Sequence, residues 1–107
     1  MARFLITWHI NPSEPWPTDP SKRLEMEEKN WAMLDGMMKK GEMEEWGIFP
    51  EVHSGYLIGK GEAVDALRNV SMFFPHIVCE VHEIIPYEKY KETLRAVRKA
   101  QIAAIKK

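Results

Sequence analysis

Glu80 and His82 stand two residues apart in His76–Ile84 (HIVCEVHEI), a stretch whose alternation marks a strand. Side chains two apart on a strand share a face, so the carboxylate and the imidazole point the same way. His9 belongs to the mixed set Leu5, Thr7, His9 of a second strand-forming stretch, Arg3–Ile10 (RFLITWHI), and joins them if the two strands are neighbours. A carboxylate beside an imidazole in a closed cavity can work as a proton-transfer pair. Neighbours on one strand reach each other poorly with short side chains, so a cross-strand pairing of Glu80 with His9 carries the larger weight. The alternative is that all three fill a barrel mouth or a dimer seam.

A second group comes from a helix. Leu24, Met26, Trp31, Met33, Leu34, Met37 and Met38 fall on one half of the wheel drawn for Pro20 to about Lys40, and Glu27 and Asn30 fall inside that apolar half. A carboxylate aimed into a cavity can serve as acid or base. The alternative leaves Glu27 at the rim, its stem buried and its head in water. Trp8, Trp31 and Trp46 can line a pocket for a flat ligand, or simply fill the core. His53 and Tyr56 lie on opposite parities of a further strand, and parity alone does not say which set, His53's or that of Ser54, Tyr56 and Ile58, faces inward. His9, His53, His82 and Glu80 together could ligate a metal, but no close His-x-His or Cys-bearing spacing supports it, so no metal is expected. Cys79 alternates with Ile77 and Val81 and reads as buried and inert. Gly59-Lys60-Gly61-Glu62 lacks the spacing and the Ser/Thr of a phosphate loop.

The elements that must position these side chains follow in order. After Arg3–Ile10, the proline-rich stretch from Asn11 to Pro20 reads as a stiff loop carrying Trp16. Asp19-Pro20 is a good helix start, and Lys39-Lys40-Gly41 a good end. Glu42–Ile48 reads as a weaker strand, Phe49-Pro50-Glu51 as a turn, Val52–Ile58 as a third strand, and Gly59-Lys60-Gly61 as a break. Glu62–Val70 is a short helix with Val64, Leu67 and Val70 inward. Met72 to Pro75 is an apolar loop, His76–Ile84 the fourth strand, and Tyr87–Ile105 a last helix with Tyr90, Leu94 and Val97 spaced for packing.

The resulting order, β-α-β-β-α-β with an added C-terminal helix, is that of an α+β ferredoxin-like fold, and residues 1–107 make one domain of it. Helices cover one face of such a sheet. The other face would expose apolar residues unless a second sheet packs on it, so a homodimer or higher homo-oligomer is expected. The net charge of −1 points toward neither nucleic acid nor an anionic membrane. No apolar run approaches the ~20 residues of a membrane span, and one cysteine cannot form an internal disulfide. The expected location is cytoplasmic, with no signal peptide read at the N-terminus.

Several short stretches carry a resemblance. Asp19-Pro20-Ser21-Lys22, the long helix ending at Gly41, Tyr56 in the third strand, and Phe73-Phe74-Pro75 leading into Glu80-Val81 are similar to the muconolactone isomerase family and, more broadly, to the dimeric α/β-barrel superfamily. The likeness spans about the first five-sixths of the chain. It implies two sheets packed face to face and a small-molecule pocket between sheet and helices or inside the barrel. In that family the first helix turns a lysine, and an acid three residues on, toward the sheet; Glu27 and Asn30 stand in those places here, and the lysine is missing. Two function classes follow: a cofactor-free isomerase moving a proton on a small organic acid, lactone or enol, or a non-catalytic small-ligand-binding or structural homodimer.

Overall fold

The computed structural model describes residues 2–106. They form β1 (Ala2–Ile10), α1 (Pro20–Lys39), β2 (Met43–Ile48), β3 (Ser54–Gly61), α2 (Ala63–Ser71), β4 (Ile77–Ile84) and α3 (Tyr87–Ile105). The four strands make one antiparallel sheet in the order β2-β3-β1-β4. This α+β arrangement is compatible with a ferredoxin-like fold. β1 and β4 are direct neighbours, as the residue order requires.

Register sorts the side chains. Ile6 lies opposite Leu57 and Val81, and Trp8 opposite Gly55 and Cys79. Directly opposed residues share a face, so Phe4, Ile6, Trp8 and Ile10 turn to the same side as Gly55, Leu57, Gly59, Ile77 and Cys79. That side carries the core, in which Phe4, Ile6 and Leu57 meet Leu34 and Met37 of α1, Met43 of β2 and Ala66 of α2. The other side holds Arg3, Leu5, Thr7 and His9 of β1, Ser54, Tyr56 and Ile58 of β3, and Val78, Glu80, His82 and Ile84 of β4. Among the described residues no helix packs on it.

The third strand differs from expectation. It runs to Gly61, so Gly59-Lys60-Gly61 extends the strand where a break was expected, and its inward set is largely glycine. The reason is space. A Cβ on Gly55 would sit 2.4 Å from the Trp8 ring and 2.2 Å from the Gly47 carbonyl oxygen; only hydrogen fits where the indole lies across the strand. His53 falls in the turn before β3 rather than on it.

The ends of the helices follow their sequence signals. The Asp19 carboxylate accepts from the Lys22 backbone N–H at 3.1 Å, and Pro20 opens α1. Gly41, at φ +76°, closes it: Glu42 N–H reaches the Met37 carbonyl at 3.0 Å and Gly41 N–H the Met38 carbonyl at 3.1 Å. In α2, Ala66 packs inward and Val70 is half-buried, but Val64 and Leu67, expected inward, are 59% and 63% exposed. With nine residues, α2 turns little more than one inward stripe to the sheet, and Ala66 and Val70 occupy it.

α3 begins two residues after β4, with Pro86 at its N-cap, and buries none of its residues. The molecule is correspondingly long, 71 × 29 × 24 Å, with a radius of gyration of 19.1 Å. A compact chain of this length has about 13 Å. A helix of 19 residues is ~28 Å long, so α3 projects as an arm.

Candidate functional site

The residues of α1 that face the sheet form the stripe Arg23, Glu27, Asn30, Leu34, Met37. Its last two turns are apolar and packed in the core. Its first three are polar and do not reach the sheet surface, and the gap beneath them is a cavity of about 80 Å³. At the ~10–15 Å³ that one water centre occupies, that is room for roughly six waters, or one small organic molecule.

The walls are aromatic and the rim is charged. Trp8 and Trp46 stack with ring centroids 5.4 Å apart and planes within 15°, and they form the floor. Trp31 and Trp16 close the sides. The Glu27 carboxylate lies 3.9 Å from Arg23 Nε, one helical turn back, and the Arg23 guanidinium lies 6.0 Å from the centre of the Trp16 ring. Val52 reaches the same space from the turn before β3. Its φ of +63° is a conformation that β-branched residues seldom adopt.

Trp16 is held there by the proline-rich loop. Asn11 N–H bonds to the His76 carbonyl at 2.8 Å, the Asn11 side-chain amide donates to the Pro75 carbonyl at 3.0 Å, and His76 Nδ1 lies 3.0 Å from the Glu14 carbonyl. These contacts tie the loop's first residues to the segment that leads into β4, and the His76 ring lies 6.3 Å from that of Trp16.

Two donors in the cavity walls are unmatched. The indole N–H groups of Trp8 and Trp16 are buried and have no hydrogen-bond partner; Trp8 is only 6% exposed. A buried donor without an acceptor costs ~1–3 kcal/mol, and neither indole nitrogen presents surface to the cavity. Arg23 is thus the cationic donor at the rim, beside a single carboxylate, Glu27. Cys79 also borders it, and burial pushes its thiol above the usual range.

Of the residues singled out by sequence, Glu27, Asn30 and Trp31 therefore meet in this cavity. Glu80, His82 and His9 lie on the opposite, uncovered face of the sheet. His82 Nε2 is 3.8 Å from the Glu80 carboxylate, with side chains 59% and 73% exposed, so the same-strand contact forms despite its short reach. His9 sits opposite Val78 and Ser54, diagonal to Glu80, and is exposed. Tyr56 is on that face too. Its hydroxyl donates to the Glu45 carboxylate, which holds the phenol above its ordinary range, and its ring lies over Gly47. Farther along the same face Glu44 bridges two cations, Arg3 at 2.9 Å and Lys60 at 3.5 Å, and the hydrogen bond from Arg3 holds its carboxyl below the usual range. His53 is exposed, and its backbone carbonyl accepts from Ile10 N–H at 2.9 Å. The described residues contain no group of three or more His, Cys, Asp or Glu arranged to hold a metal ion. None of their helices is long and apolar enough to cross a membrane.

Arg23 and Trp16 are cavity residues that the sequence did not single out. A signal was present for Arg23, which precedes Glu27 by one turn on the same helix face. Trp16 carried none beyond being an aromatic residue in a stiff loop. A scan against protein-family models gives no match for this chain, and a search of curated proteins gives none either.

Proposed function

We propose that this protein binds a small, flat, oxygen-bearing molecule, an organic acid or lactone, between α1 and the sheet, and isomerises it by cofactor-free proton transfer. The observation that carries the reading is the aromatic-walled cavity with the Arg23 guanidinium and the Glu27 carboxylate at its rim. Planar ligands stack on the tryptophan walls, and their carbonyl or carboxylate oxygens accept from the Arg23 guanidinium. Glu27 then has a chemical role. Its carboxylate takes a proton from the carbon next to the carbonyl and returns it to another carbon of the same molecule. The negative charge that gathers on the carbonyl oxygen in between is met by the same guanidinium. This is the activity class of the muconolactone isomerase family, with an arginine donor in place of the missing lysine.

The test uses α-angelica lactone, whose isomerisation to the conjugated lactone moves one proton and is followed by ultraviolet absorbance. The wild-type chain is expected to catalyse it and to show quenched tryptophan fluorescence with small aromatic carboxylates. Glu27→Gln is expected to lose turnover by at least 100-fold, as general-base removal does, while keeping its melting temperature. Unchanged turnover in Glu27→Gln would remove the proton-transfer reading. Unchanged fluorescence across a panel of such acids and lactones would remove the binding site as well.

The uncovered face supports an accompanying reading of assembly: a cytoplasmic homodimer of dimeric α/β-barrel type, its two sheets packed face to face. Leu5, Ile58, Val78 and Ile84 supply the apolar contact there. A non-catalytic role for that face is favoured by the Glu80–His82 pair, which is already matched and exposed. In a dimer the pair would serve the seam rather than chemistry.

A further inference from the structure

The projecting helix α3 has an unused apolar seam. Tyr87, Tyr90, Leu94 and Val97 recur at alternating three- and four-residue steps, the spacing of a stripe that packs on a neighbour. Tyr87 and Tyr90 are more than half exposed and none of the four is buried in this chain. The rest of the helix is basic. Residues 87–107 hold seven lysines and arginines against two glutamates, and residues 1–86 hold eight against fourteen acids. The near-neutral whole is thus an arm of net +5 joined to a body of net −6.

That division, together with the joint, decides among occupants for the seam. Another α3 is disfavoured, because two arms of +5 repel. The chain's own body does not take it: α3 leaves β4 at Ile85-Pro86 pointing away from that body and buries none of its residues there. The acidic body of a second copy satisfies both conditions.

The body also offers a landing surface. On α2, Asn69 bonds to Glu42 at the end of α1, so the opposite flank, with Leu67, faces away from α1 toward the edge strand β4. Val81 and Glu83 of β4 lie on the same side of the sheet, and both are exposed. An uncovered apolar strip, Leu67 and Val81, is therefore bordered by Glu83 and by Glu62 at the start of α2.

We infer that α3 is an exchange arm: it docks, seam inward, between α2 and β4 of a second copy, whose own arm docks in return. The lysines and arginines flanking the seam meet the acids of that body. The inference stands apart from the ligand cavity, which the arm does not touch.

The test is a mixed-label experiment on the full chain. One preparation carries a nitroxide at Ala100→Cys in a Cys79→Ser background and no isotope; the other is ¹⁵N-labelled and carries no nitroxide. In the mixture, the amide signals of Leu67, Val81 and their neighbours in the labelled copy are expected to broaden. Leu94→Asp with Val97→Asp should abolish the broadening. Arg95→Glu, Arg98→Glu and Lys99→Glu together should weaken self-association at least tenfold and reduce its salt dependence. Since α3 buries nothing in its own chain, the helical content of the body should be unchanged in both sets. Broadening confined to residues 87–106 would mean arm pairs with arm and would overturn the inference. So would no broadening at all, or broadening lost equally in the wild type when phosphatidylserine vesicles or a DNA duplex are added at equimolar concentration.

Discussion

Gly55 decides where Trp8 can lie. The indole crosses β3 at that residue, and it is one of the two rings that floor the cavity. Gly55→Ala puts a methyl group within 2.4 Å of the ring and 2.2 Å of backbone. The backbone contact cannot yield by a side-chain rotation, so the expected cost is that of overpacking, about 1–3 kcal/mol. Chemical denaturation should show it, and tryptophan emission should shift as Trp8 moves off Trp46. An unchanged midpoint would mean the ring has another place to go. Gly55 also marks what the residues alone could not reveal. Alternation in β1 was readable because Phe4, Ile6, Trp8 and Ile10 are uniformly apolar against a mixed set. In β3 the set with larger side chains, Ser54, Tyr56 and Ile58, is the outer one, because the inner face gives up its volume to Trp8 and to the helices. Parity left the two sets open, and the space that Trp8 takes beside Gly55 decided between them.

At the scale of the element, α1 has two halves with different work. Leu34 and Met37 anchor its C-terminal turns in the core, while Arg23, Glu27 and Asn30 hold its N-terminal turns over the cavity. The wheel exposed this division for Glu27 and Asn30, since polar residues on an otherwise apolar half stand out. It hid Arg23, which reads as an ordinary solvated residue of a first turn. It also overstated Leu24 and Trp31, which are 50% and 44% exposed, because a helix lying on a sheet buries a narrower stripe than half its circumference. If the polar stripe serves a ligand rather than the fold, continuing the apolar anchor should stabilise the chain and cost it binding. Asn30→Leu is therefore expected to raise stability by about 1–2 kcal/mol through added apolar burial and to weaken binding of small carboxylates by tenfold or more. Calorimetric melting and a fluorescence titration read the two effects. A lowered melting temperature would assign Asn30 to the fold.

The whole molecule is a compact body with one element left out of its packing. The order of the elements was legible, and the last helix spans Tyr87–Ile105 as its pattern implied. Its position was not, because a seam of Tyr90, Leu94 and Val97 looks the same whether it packs on its own sheet or on another copy. The structure places the helix away from its own sheet. Two residues, one of them proline, fix the direction in which the helix leaves β4. Replacing that joint by a flexible tether changes the competition between two equivalent partners. A chain with about eight glycine and serine residues inserted between Ile85 and Pro86 gives the arm access to its own body at an effective concentration in the millimolar range, far above that of any second copy in a micromolar solution. The nitroxide at position 100 should then broaden amides of its own chain when that chain is the isotope-labelled one, and the cross-copy signal should vanish on dilution into unlabelled protein. Held away from its own body at Ile85-Pro86, the arm leaves its seam to a second copy, and association, rather than self-closure, is the way the helix gets buried.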